Sequence, residues 1–288
     1  MCPNVLNQSS WDFIDFCSNI HAGVTIFPGT KDGVLCPITI EQIDRLKETP
    51  EADVVTICGL KQDTFEYFIR TYGRQFRAIK FFKNRFIEDW SLLGTLTDVQ
   101  YLHFFWNQRI TSFWDMSGNT ALRGLAVKDF SRLMNVELVN TAPNLETFWI
   151  GNEIWSRMVI DSLMPLVGSS ISHLIFDGRK IVDDDLSFLD GMINLKRFDF
   201  PSNLYTTEQV AWIAANYPKL DGSYIIPYSI YDGFGSEKRV IITGKGKPSF
   251  DYKGNDERLL KCETRFNELK TRYKGIPYRV AFKTSGNE

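Results

Sequence analysis

Apolar residues recur along the middle of this chain at positions one, four and six of a block that returns about every two dozen residues. The clearest copy is VQYLHFFWN, where Val99, Leu102 and Phe104 hold the three positions. Other copies begin at Ala52, Phe76, Leu122, Leu145, Ile171, Leu195 and Leu220, so the steps are 24, 23, 23, 23, 26, 24 and 25 residues. Ser223 is the one polar residue among these 24 positions, in a chain that is 43% apolar. Positions four and six lie two apart, the period of a strand with one face buried. Each block therefore predicts one strand, and successive blocks predict successive parallel strands of one sheet.

The segments between blocks predict turns and short helices. Pro50, Pro143 and Pro218 each sit two residues before a block, where proline ends a preceding helix or turn. Thr39 and Thr206 each open a Thr-x-x-Gln capping box. Asp183–Asp185 before LSFL places three carboxylates at the positive end of another helix start. A period of 20–29 residues with the pattern L-x-x-L-x-L resembles the leucine-rich repeat over roughly residues 50–228. The spacing and the run NQRI are most similar to the 22–24-residue subclass known from internalins and a phosphatase regulator. The usual asparagine at position nine survives only as Asn84, Asn107 and Asn203. What the resemblance implies is an α/β leucine-rich repeat solenoid, with a curved parallel sheet on the concave side and short helices and 3₁₀ turns on the convex side.

The flanks do not follow the period. Residues 1–50 hold the amphipathic SSWDFIDFCSNI and apolar runs around GVTIFPGT and GVLCPITI, which fits an N-terminal cap over the first repeat's exposed edge. Residues 51–228 are the array of about eight repeats. In residues 229–288, KRVIITGKGKPSF predicts a strand and turn. Leu259, Cys262, Phe266, Leu269 and Tyr273 then recur at helical spacing, predicting a cap of strand plus amphipathic helix.

Charge changes this picture little. A net charge of −2 without a basic stripe argues against nucleic acid, and no run of about 18 apolar residues argues against a membrane span. The five scattered cysteines form no CxxC pair, which fits a reduced, cytoplasmic chain. The N-terminal residues lack a signal-peptide pattern as written; a trimmed lipoprotein anchored at Cys2 is the alternative.

No catalytic constellation emerges. GKGKPS lacks the spacing of a phosphate loop and fits a hairpin turn. Cys262 falls on its helix's apolar stripe; the sixty or so residues after the array are too few for the ligase domain of cysteine-dependent repeat effectors. His21 and Cys17 share helical spacing without further partners. His103 and His173 are three strands apart, about 14 Å, too far to share a metal. The expectation is a chain that is not an enzyme and needs no cofactor or metal.

Composition does mark one surface. Aromatics make up 14% of the chain, and several fall on positions three, five and seven, which point away from the core. Phe82, Tyr101, Phe105, Trp149 and the adjacent Trp106 form a patch edged by Lys80, His103 and Lys128, with Ile175, Asp177, Arg197 and Asp199 farther along the face. Large apolar patches mark contact surfaces, and Trp and Tyr are favoured anchors. The expected role is non-catalytic binding of another protein (an inhibitor, immunity protein or scaffold). A glycan stacked on Trp106 and Trp149 is the alternative ligand. Cover by a loop, a cap or a second copy in a homodimer is the alternative fate of the patch.

Overall fold

In a computed structural model of the chain, residues 12–19, 22–31, 34–154, 158–233 and 237–282 are described. Eight strands in chain order form one parallel sheet: β1 Val24–Ile26, β2 Val54–Cys58, β3 Ala78–Phe82, β4 Tyr101–Asn107, β5 Gly124–Phe130, β6 Thr147–Gly151, β7 His173–Asp177 and β8 Arg197–Asp199. Third positions of seven consecutive blocks align across it, Val54 beside Ala78, then Tyr101, Gly124, Thr147, His173 and Arg197. The chain is thus α/β, with one strand in each of the first seven blocks, in the expected register.

Alternation within each strand explains the core. All seven fourth-position residues from Val55 to Phe198 have no exposed surface. They meet the residues that return between strands, among them Leu93, Val139, Leu166 and Leu186 in short 3₁₀ turns. At position six, Phe104 lies parallel to Phe81 with ring centroids 4.7 Å apart and edge-on to Trp90 at 5.0 Å. In two consecutive blocks position nine is an asparagine that bonds the backbone where the chain leaves the sheet. Asn107 donates to the carbonyls of Asn84 and Ile87 and accepts from the N–H groups of Arg109 and Ile110. Asn84 likewise links Leu60 and Ile57, whereas Asn203 sits exposed in a turn.

The helices are few. They are α1 Phe13–Ser18, α2 Ile40–Ile43, α3 Gln62–Thr71, α4 Thr207–Asn216, α5 Asp256–Tyr273 and α6 Tyr278–Ala281. Thr39 and Thr206 both form the expected capping boxes. Asp185 caps a 3₁₀ turn, Leu186–Asp190, by accepting from Ser187 N–H at 2.8 Å.

The ends depart from the pattern. β1 adds a parallel strand ahead of the first block, with Val24 beside Val55. The last block makes no strand: Asp221 forms a single bridge to Arg197, and Ser223, the polar exception, lies exposed in the following turn. Beyond it β9 Tyr228–Asp232, β10 Lys238–Ile242 and β11 Ser249–Asp251 form an antiparallel sheet, with GKGKPS as the turn before β11. Val240 and Phe250 pack against Leu259 of α5, the expected helical stripe. No helix among the described residues is long and apolar enough to cross a membrane.

Candidate functional site

The face opposite the core is floored by small side chains: Val54, Ala78, Gly124 and Ala126. They leave a trough across β2–β5, and α1 lies in it. Phe13 sits against Gly124, where a Cβ would fall 2.3 Å from the ring. Phe13 and Phe16 flank Tyr101 at centroid distances of 5.4 and 6.1 Å. Asp12 caps the helix start by accepting from Ile14 N–H at 2.9 Å. At its end the Lys80 ammonium, in the middle of the face, donates to the carbonyls of Phe16 (3.2 Å), Cys17 (2.8 Å) and Asn19 (2.6 Å). These are the carbonyls a helix leaves without partners, at the negative end of its dipole.

Burial corrects the expected rim. Lys80, His103, Phe105 and Lys128 are 1–3% exposed, and Ile175 is buried as well. Phe82, Tyr101, Trp106 and Trp149 are half-buried. The amphipathic α1 covers the part of that surface formed by Val54, Ala78, Lys80, Tyr101 and Ala126. His21 and Cys2 lie outside the described residues.

Buried charges then need partners. Lys128 Nζ is 2.9 Å from Asp177 Oδ2 and 3.6 Å from the centre of the Trp149 ring, whose Nε1–H donates to the same oxygen at 2.5 Å. Burial lowers the pKa of both lysines, against which the Asp177 carboxylate supports the charge on Lys128. Next to Lys80 across the sheet, the His103 Nδ1 atom has no hydrogen-bond partner among the described residues. Burial first, then the positive field of Lys80 and Lys128, pushes its pKa well below 6.5. His103 is therefore a neutral side chain at physiological pH. Burial also pushes the Cys17 thiol up to about 12, so it is not a thiolate nucleophile.

Toward the last strands the face is open, and Asp199 organises it. Its carboxylate meets His173 Nε2 at 2.7 Å, Arg197 Nε at 2.6 Å, Ser223 Oγ at 2.5 Å and Ser223 N at 2.9 Å. Partial burial opposes the charge, but these hydrogen bonds hold the carboxyl well below the usual range. Arg197, nearly half exposed, also reaches Asp221 at 3.2 Å. Serine, histidine and aspartate converge here, yet both Ser223 and His173 bond the carboxylate. A nucleophilic triad needs the histidine between the other two.

Where the strands end, Gly59, Lys83, Trp106 and Asp129 take left-handed φ of 78°, 56°, 64° and 58° at the same position of successive blocks. That turn settles the direction of Trp106, half-buried with the Arg85 guanidinium 6.0 Å from its ring. Alternation alone misses Phe13, Phe16, Asp221 and Ser223; the small residues Ala78, Gly124 and Ala126 are the signal that would have led to α1. Among the described residues, no group of three or more His, Cys, Asp or Glu could hold a metal ion. Comparison with protein-family models, curated proteins and solved structures finds nothing that matches this chain.

Proposed function

We propose that this chain is a leucine-rich repeat solenoid that binds another protein, without catalysis, through the concave face of its sheet. One observation carries the reading: that face already holds a helix, seated on matched small residues and clamped by a buried lysine. Its open remainder presents Trp149, His173, Asp177, Arg197 and Asp221. Their side chains are fixed in place by the Asp177 and Asp199 networks, so little ordering entropy opposes association. Such a surface offers arginine and aromatic anchors at its centre, the residue types that dominate binding energy. A glycan reading is less well supported, since cations already occupy one face of the Trp149 ring and lie near that of Trp106.

The test is a native pull-down with the intact chain and with Arg197→Glu, which alters an exposed side chain. A stoichiometric protein retained by the first and lost by the second, at equal melting temperature, supports the reading. Glycan-array signal with no protein partner overturns it.

A further inference from the structure

The trough that holds α1 has the attributes of a receptor for a short helix, and α1 has those of a removable occupant. We propose that a partner enters as a short amphipathic helix that replaces α1, presenting an aromatic-x-x-aromatic edge to Gly124 and Tyr101 and its last carbonyls to Lys80. This rests on the protein-binding reading above and adds the shape and chemistry of what is bound.

Three observations specify the occupant. Gly124 leaves a slot that admits a ring and excludes a side chain of its own, because any Cβ there would strike Phe13. Phe13 and Phe16, three residues apart on one helix face, bracket Tyr101. Lys80 lies in the floor and gives its ammonium to three carbonyls at one helix end. A buried cation without acceptors is strongly disfavoured, so a replacement must supply acceptors at that point, as a helix C-terminus does.

Two further observations make α1 the part that leaves. Six residues are too few for a helix to persist alone, so α1 exists by docking. Its buried residues, Phe13, Phe16 and Cys17, belong to a small cluster separate from the main core. Units with few buried contacts open first while the rest stays folded. Opening would hydrate Lys80 and uncover a trough whose walls are fixed by the sheet.

The test uses the full chain carrying Phe13→Asp and Phe16→Asp, which unseats α1 and leaves the trough unaltered. The probe is a fluorescein-labelled peptide of residues 10–20 with Cys17→Ser, followed by anisotropy. The double variant should bind it at least tenfold more tightly than the unmodified chain. Adding Gly124→Leu should abolish binding, and adding Lys80→Met should weaken it about tenfold. No binding by a folded double variant, or binding insensitive to Gly124→Leu, overturns the proposal. A concentration-dependent dimer of the unmodified chain that exchanges α1 between copies also overturns it, in favour of arm exchange. Should the double variant not fold, hydrogen exchange on the unmodified chain decides. Amides of α1 should exchange at least a hundredfold faster than those of β3–β5; equal protection makes α1 part of the core and ends the proposal. Failure here leaves the protein-binding reading to stand or fall on Arg197→Glu, which lies outside the trough.

Discussion

Lys80 and His103 sit side by side on adjacent strands, and each resolves the cost of burial differently. Lys80 stays charged by meeting three carbonyls. Replacing it by Met leaves those acceptors without a donor, which should cost about 1–3 kcal/mol, read as faster hydrogen exchange in α1 and a lower urea midpoint. His103 is buried as the neutral ring, with a pKa well below 6.5. In the unfolded chain it takes up a proton near 6.5, while the folded chain resists. The unfolded state thus binds more protons below that point, so stability is complete above pH 6.5 and falls as pH drops through it. The loss should approach about 1.4 kcal/mol per pH unit until the folded-state value is reached. Burial also lowers the pKa of Lys80 and Lys128, which contribute with the same sign. Glu153, whose carboxyl is raised by partial desolvation, contributes with the opposite sign. Urea unfolding at pH 7.5, 6.5 and 5.5 should therefore show the decline in the unmodified chain and a flatter profile in His103→Gln. An equal decline in both would place the proton elsewhere.

Within a strand, period two decides which residues the core takes, and the next layer decides the rest. In β4, Leu102 and Phe104 face the returns between strands, where Phe104 contacts the rings of Phe81, Trp90, Trp114 and Phe130. Phe104→Ala should cost about 3–5 kcal/mol. Phe105, on the opposite face, is 2% exposed and stacks on Phe82 at 5.1 Å, so Phe105→Ala should cost nearly as much. Tyr101, half-buried and flanked by Phe13 and Phe16 of α1, should cost less in global unfolding and show mainly as lost protection in α1. Thermal or urea unfolding of the three variants checks that order. The element pattern was legible because alternation acts locally and recurs at a 23–26-residue step, and because each Thr-x-x-Gln box closes its bonds within three residues. The cover over the face was not, since it joins residues 12–19 to strands more than a hundred residues away, as Phe13 does with Gly124. Charge misled most: Lys80 and Lys128 read as a solvated edge, whereas one caps a helix and the other pairs with Asp177. The extra β1 escaped because its three residues carry too short an alternation to register.

Across the whole molecule, each strand of the large sheet pairs only with its neighbours in that sheet's chain order, so stability there is close to a sum of neighbouring interfaces. Such an arrangement frays from whichever end is held less well. At the C-terminal end the hold converges on α6, a single turn. Tyr278 donates to the Asp184 carbonyl at 2.6 Å, accepts from Gln209 Nε2 at 2.7 Å, and lies 5.0 Å from the Trp212 ring. Trp212 Nε1–H donates to the Ile276 carbonyl, and Asn216 Nδ2 to that of Tyr273. Arg279 pairs with Asp185 at 3.0 Å, tying α6 to the 3₁₀ turn of the preceding return. These bonds span up to 94 residues of sequence yet close one small junction. Tyr278→Ala removes a ring that is 5% exposed and should cost about 3–5 kcal/mol in that junction. The loss should be local first. Trp212 emission should shift to the red, and amides of α4 and of residues 186–190 should exchange faster. Those of β2–β5, several interfaces away, should keep their protection until the global transition. If β2–β5 lose protection in step with α4, the sheet unfolds as one cooperative unit and the neighbour-by-neighbour account of its stability is wrong.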